Sequence, residues 1–459
     1  MRSSLMASLM ASLMISAAVA VWAAALSCGA EAASFNTLFQ FSGAADGGAP
    51  TGNLVAGPHG SLYGVTQAGG ASGNGTVFRL DRPPQGSAQW TVTTLYGFVG
   101  GNDASAPNNL TIDAFGNIYG TSNAGGGSSL CTSNGAVIGC GTVFELSPVA
   151  GGTWREQVIY AFQGATDGQQ PKGVSFDSAG NLYGFGFIGG AGVCHFEGQP
   201  FGCGTAFKLS PVEGAGWNFS LLYTFKNDAD SDGPFGPPLI DAQGALYGET
   251  GGGGPGAPAA CAPATGCGEV FRLVPRRNGT WTKQALWIFD GLDGTGGSNA
   301  LVADWAGNIY GMTNEGGPPN PLCPEDPSFG SSAGCGVAFE LSPPANGTDA
   351  WTYHTIWDFT LGPDSGYPFN ASITQANGQW FATSSGPYPL AKSYGAIVEF
   401  FPPTARGVWR EKTLFAFRND ELNEAQPEST LFWLGNQLYG TAAGYGTTGR
   451  FGTVFRLRP

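Results

Sequence analysis

Apolar and polar positions alternate along the chain in short runs broken by Gly, Asp and Pro. Period-two runs between turn residues predict β-strands and exclude a mostly helical fold. The runs recur as a unit. Leu62-Tyr63-Gly64 returns as Ile118-Tyr119-Gly120, Leu182-Tyr183-Gly184, Leu246-Tyr247-Gly248, Ile309-Tyr310-Gly311 and Leu438-Tyr439-Gly440, and Trp380-Phe381-Ala382 is a degenerate seventh copy. A second signature follows each copy. It is GTVF at 75–78, 141–144 and 452–455, GTAF at 204–207, GEVF at 268–271, GVAF at 336–339 and GAIV at 395–398. The spacing of about 60 residues is too long for leucine-rich or ankyrin units and suits a four-stranded propeller blade.

Each unit predicts four strands. An apolar first strand such as 110–113 leads through an Asp-x-x-Gly-Asn turn (113–117, 177–181, 304–308) into the LYG-T strand. Asp can bond the turn backbone, and Gly supplies a positive φ there. GTVF-x-L is the third strand. The fourth starts near Trp90, Trp154, Trp217, Trp281, Trp351 or Trp409 and ends in an aromatic pair such as Tyr96/Phe98 or Trp357/Phe359. The seventh unit stops after its third strand, whereas 35–41 (FNTLFQF) has the pattern of a fourth strand. The termini therefore complement one another. The expected fold is all-β: a seven-bladed β-propeller of four-stranded antiparallel blades, closed by the N-terminal strand and forming one domain over 33–459. A linear solenoid would instead end in polar caps.

Residues 1–32 stand outside that arithmetic. Arg2, an apolar stretch from about Leu13 to Leu26 and small residues around Ala30-Glu31-Ala32 predict a secretory signal peptide cleaved near Ala32. Lipid anchoring at Cys28 is the weaker reading, because Ala25 stands where such sites have Leu. No later apolar run is long enough for a transmembrane helix. The eight remaining Cys fall into local couples, Cys131/Cys140, Cys194/Cys203, Cys261/Cys267 and Cys323/Cys335. With only three His and no C-x-x-C spacing, disulfides in an exported protein are the expectation, not zinc.

Composition narrows the function. Gly is 76 of 459 residues, fitting many tight turns, while 12% aromatic and 11% charged residues argue against disorder. The net charge of −14 disfavours a nucleic-acid partner. The LYG-T and GTVF-x-L-S-P repeats resemble those of the secreted bacterial GloVer tandem-repeat ("choice-of-anchor") proteins, over nearly all of the chain after residue 32. The resemblance implies an exported, surface-associated bacterial protein, secreted, periplasmic or on the cell surface, and carries no catalytic residues.

Two places could carry chemistry. The connection into each first strand holds Asp-x-x-x-Pro at Asp46, Asp103, Asp167 and Asp364, with looser versions at Asp232 and Asp293. A ring of such carboxylates could hold calcium or a polar ligand. Repetition in every blade favours the other reading, that Asp and Gly build one turn seven times. The second place is the connection between second and third strands. From the LYG-T tyrosine to the end of GTVF it spans 25, 24, 24 and 29 residues in units two to five, against 15, 17 and 16 in units one, six and seven. The long connections carry the Cys couples, and one holds His195, Phe196 and Phe201, another Phe329. They predict a disulfide-stapled wall on half of one face. No G-x-S-x-G, H-E-x-x-H or phosphate-loop pattern is present. The favoured expectation is a monomeric binding or scaffolding module for an extracellular polysaccharide or a surface protein, with no required cofactor. A carbohydrate-active hydrolase or lyase with acidic residues at the channel mouth is the alternative.

Overall fold

The computed structural model describes residues 33–459 except 86, 197–198, 201, 215, 227–229, 255–265, 324–333, 346–349, 387–393, 405–406, 419–425 and 445–450, with only the backbone at 195–196 and 199–200. Seven antiparallel sheets stand in a ring. Blade 2 shows the plan. Its first strand Ala104–Ile112 pairs with Ile118–Gly125, which pairs with Thr142–Val149, which pairs with the outer strand Thr153–Ala161. Blade 5 departs slightly, its first strand being split into Thr295–Gly297 and Val302–Ala303. The ring closes as the strand count predicts. Ser34–Gln40 pairs antiparallel with Thr453–Arg458 and supplies the outer strand of blade 7.

The repeat signatures are the packing contacts. Register sets the LYG glycine opposite the GTVF phenylalanine: Gly64 faces Phe78, Gly120 faces Phe144 and Gly440 faces Phe455. The ring lies over the glycine so closely that a Cβ on Gly64 would stand 2.5 Å from Phe78. In the degenerate unit both partners change together, Ala382 facing Val398. Each GTVF phenylalanine also meets an aromatic residue of the preceding blade, as in Phe98–Phe144, Phe162–Phe207, Phe225–Phe271 and Phe41–Phe78. The repeated Trp packs edge-on against the LYG tyrosine one blade back: Trp154 on Tyr63, Trp217 on Tyr119, Trp281 on Tyr183 and Trp90 on Tyr439. These rings form the inter-blade core and are not free to stack on a ligand.

Three disulfides join Cys131–Cys140, Cys194–Cys203 and Cys323–Cys335. Cys267 is also disulfide-bonded, and its expected partner Cys261 lies outside the described residues. Two of the stapled loops carry small ribbons of their own, Thr132–Ser133 with Ala136–Val137 and His195–Phe196 with Gln199–Pro200. The disulfides point to an extracellular or periplasmic compartment. Among the described residues no helix is long and apolar enough to cross a membrane.

Candidate functional site at the channel mouth

The inter-blade turns fix the mouth. In all seven, one backbone N–H reaches back to the preceding blade: Ala49 to Phe451 O (2.7 Å), Ala106 to Asn74 O (3.1 Å), Gln170 to Cys140 O (2.9 Å), Gly233 to Cys203 O (3.2 Å), Gly296 to Cys267 O (3.0 Å), Tyr367 to Cys335 O (2.7 Å) and Gln426 to Tyr394 O (2.9 Å). Each donor has a positive φ between 51° and 68°. In six blades the next residue is the repeat proline, whose ring lies against the GTVF glycine of the blade before, as Pro107 does on Gly75. That contact is why the glycine and the distant proline recur together.

The repeat aspartates serve the same turns. Each carboxylate accepts a backbone N–H from the end of the outer strand: Ser42 to Asp46 (2.9 Å), Val99 to Asp103 (2.8 Å), Gln163 to Asp167 (2.9 Å), Asp290 to Asp293 (2.7 Å) and Thr360 to Asp364 (3.0 Å). The strand's own aromatic residue adds a second donor in Tyr96, Tyr160, Trp287 and Trp357. Burial pushes Asp293 up to about 6 against the hydrogen bonds that pull it down. In blade 4 the residue in this role is Asp230, not Asp232: it accepts from Tyr223 Oη at 2.8 Å and from Lys226 N–H at 3.1 Å. Asp232 instead opens the first strand, opposite Gly252. The spacing of seven residues from the aromatic, as in Tyr96/Asp103, was the signal that separates the two. Among the described residues no three His, Cys, Asp or Glu side chains converge as they would on a metal ion.

The residues beside those prolines face the channel. They are Thr51, Asn108, Lys172, Phe235, Phe369 and Glu428, and in blade 5, where Gly297 replaces the proline, the lining residue is Asn299. Asn109 and Asn370 follow in the same row, and Gln67, Asn123 and Phe187 come from the second strands. Together with Phe451 they enclose a cavity of about 940 Å3 that touches all seven blades. The turn repeats, yet the residue it presents differs from blade to blade. Sequence reasoning weighed the repeated Asp and passed over this variable neighbour.

Side-chain amides lock the rim. Asn53 takes both the N–H (2.7 Å) and the carbonyl (2.8 Å) of Leu110 in the next blade. Asn109 donates to Lys172 O at 2.8 Å, and Asn299 donates to Asn370 O at 2.8 Å. Lys172 Nζ donates to Asn123 Oδ1 at 3.0 Å and lies 5.0 Å from the centre of the Phe187 ring. Burial lowers its pKa to about 8. Glu428 accepts from Asn370 at 3.2 Å, and burial raises its carboxyl to about 7. Phe187 and Phe235 meet edge to face at 4.7 Å.

A second cavity of about 710 Å3 lies between the stapled loops of blades 2 and 3 and meets the first at Phe187. Leu130 and Val193 on its walls are 66% and 64% exposed. His195 and Phe196 lie in the small ribbon of the blade 3 loop, whereas Phe201 and Phe329 lie outside the described residues. His59 occupies a turn with φ 57°, and His354 sits in an outer strand.

Residues 129–321 match the family model of the Gloeobacter/Verrucomicrobia repeat. That segment carries the GloVer repeat. No curated protein matches it. Among solved structures, it is similar to a luciferin-regenerating enzyme at 10% identity, covering 93% of this chain and 95% of that one with a TM-score of 0.41. A polysaccharide lyase, an ulvan lyase, matches at 12% identity over 85% and 97% with a TM-score of 0.42. A gluconolactonase of Xanthomonas campestris matches at 16% over 58% and 69% with a TM-score of 0.32. Likeness at this level carries no activity to this chain.

Proposed function

We propose that this GloVer propeller is an exported glycan-binding module that takes part of an extracellular polysaccharide into the channel mouth. One observation carries the reading: a sevenfold scaffold presents five residue types, Thr, Asn, Lys, Phe and Glu, from its blades to a single cavity of about 940 Å3. The presented chemistry is amide and phenyl. Amides donate to and accept from sugar hydroxyls, and Phe187, Phe235, Phe369 and Phe451 offer apolar faces to sugar C–H groups. Such a cavity is of ligand size. The repeat aspartates take no part, since their oxygens hold the turns, and the reading needs no calcium.

The test is retention on insoluble polysaccharides, with calcium and with a chelator, for the native chain and for the double variant Phe187→Ala/Phe235→Ala. Saturable retention that the double variant loses is the expected result. Retention unchanged in the variant would move the ligand away from the mouth. No retention on any polymer would favour a surface-protein partner.

Glu428 supports a second reading. It is the one carboxylate among the described lining residues, and a pKa near 7 suits a general acid. A hydrolase would need a second carboxylate across the ligand. Release of sugar ends by the native chain, lost in Glu428→Gln while retention persists, would establish catalysis.

A further inference from the structure

We propose that Lys172 binds an anionic substituent of the ligand, a carboxylate or a sulfate ester, so that the mouth selects acidic over neutral glycans; this rests on the glycan reading above. Lys172 stands at the blade-specific position beside the repeat proline, where the other blades present Thr51, Asn108, Phe235, Ser298, Phe369 and Glu428. It is the only cation among the described residues that line the cavity.

The contrast with Lys283 shows what is missing. Lys172 is half-buried and the Lys283 side chain more fully so, yet the Lys283 ammonium pairs with Glu269 and, at 3.4 Å, with Asp230. No described carboxylate lies within ion-pair distance of Lys172. Its polar contact is Asn123 Oδ1, and an ammonium has three donors to place. A shielded cation without a counter-ion is costly unless something supplies one.

The ammonium is also held in position, as a ligand-binding charge should be. Asn123 Oδ1 is itself fixed by Asn108 Nδ2 at 3.1 Å, and Asn108 Oδ1 accepts from Thr121 Oγ1. Asn109 pins the backbone of Lys172, and the Phe187 ring flanks the ammonium. Glu428 does not cancel the charge: burial keeps its carboxyl largely neutral under mildly acidic conditions. The cavity therefore offers a fixed positive group beside phenyl faces and amides, which matches a sugar ring bearing an acid.

The experiment is titration calorimetry at pH 6.5 with three sets of tetrasaccharides built on glucose and on galactose: uronate, sulfated and uncharged. The native chain should bind a uronate or a sulfated oligomer about tenfold or more tighter than the uncharged one, and the preferred member distinguishes carboxylate from sulfate. Lys172→Met should bind all three alike, at the level the native chain shows for the uncharged oligomer, with a melting temperature no lower than that of the native chain. Phe235→Ala should weaken binding to every set. Equal affinity of the native chain for charged and uncharged oligomers, or a preference that survives in Lys172→Met, would overturn the proposal and leave the glycan reading standing. Binding to none of the sets would overturn both.

Discussion

Gly141 meets two demands at once. Its φ is 96°, and a Cβ on it would stand 2.8 Å from the Cδ of Pro171 in the next blade, besides crowding the carbonyl of Ser122. Gly151 has nearly the same φ, 95°, but open space around it. The pair separates backbone strain from collision. Gly151→Ala should cost about 1–2 kcal/mol from the left-handed backbone alone. Gly141→Ala should cost clearly more, because a blade junction must also shift. Thermal unfolding of both variants checks this, and equal losses would remove the junction from the explanation. The motif glycine was plain in the sequence, but its reason was not, because Pro171 lies 30 residues away and meets it only across a blade boundary. The same distance hid the site. Asp167 and Pro171 repeat and drew the eye, whereas Lys172 beside them does not repeat and lines the cavity.

The junction of blades 4 and 5 breaks the pattern in two places that explain each other. Glu249 stands where the other blades have Val65, Thr121, Phe185, Met312, Thr383 and Thr441, and Gly297 stands where they have proline. A Cβ on Gly297 would lie 2.5 Å from Cβ of Glu249, so the glycine makes room for the acid. Glu249 is buried, with Oε2 accepting from Ser298 N–H at 3.2 Å and Oε1 without a hydrogen-bond partner. Burial therefore holds its pKa well above the usual carboxylate range. The unfolded chain ionises this group above about pH 4.3 while the fold keeps it protonated. Its contribution is thus complete below that pH and declines by about 1.4 kcal/mol per pH unit as the pH rises towards the folded value. Glu249→Met, copying blade 5, removes the titration, and Ser298 N–H keeps its bond to Met312 O at 3.1 Å. The melting temperature of the variant relative to the native chain should rise between pH 5 and pH 8. Parallel curves would mean that Glu249 is ionised in the fold. At this scale the four-strand plan and the local disulfides were legible, because period, turn chemistry and cysteine spacing are local. The departure at Gly297 was not, since its partner lies in another blade.

The ring as a whole is legible by counting: the seventh unit lacks an outer strand, and 35–41 has the pattern of one. Which residue of each blade reaches the axis cannot be counted, since it depends on how far each first strand slides along its neighbour. The closing strand joins both sides of the ring. Phe35 stacks on Phe415 of blade 6 with centroids 3.8 Å apart, and Phe41 meets Phe78 of blade 1 at 5.2 Å. Removing 34–41 should therefore expose the edge of Thr453–Arg458 and loosen both neighbouring interfaces, giving a low, broad melt and association through the open edge. That loss alone would not distinguish closure from the removal of a few buried rings. A permuted chain does. Ser34 lies directly opposite Arg458 in the ladder, so a two-residue Asn-Gly turn can join 458 to 34 as a β-hairpin. A chain that begins at Ser42 and ends with Asn-Gly followed by 34–41 keeps every strand but changes the outer strand of blade 7 from a distant partner into a hairpin neighbour. The closure described here predicts a melting temperature near that of the native chain and unchanged retention on glycan. A permutant that unfolds like the deletion would show that the N-terminal strand stabilises the ring by some route other than completing blade 7.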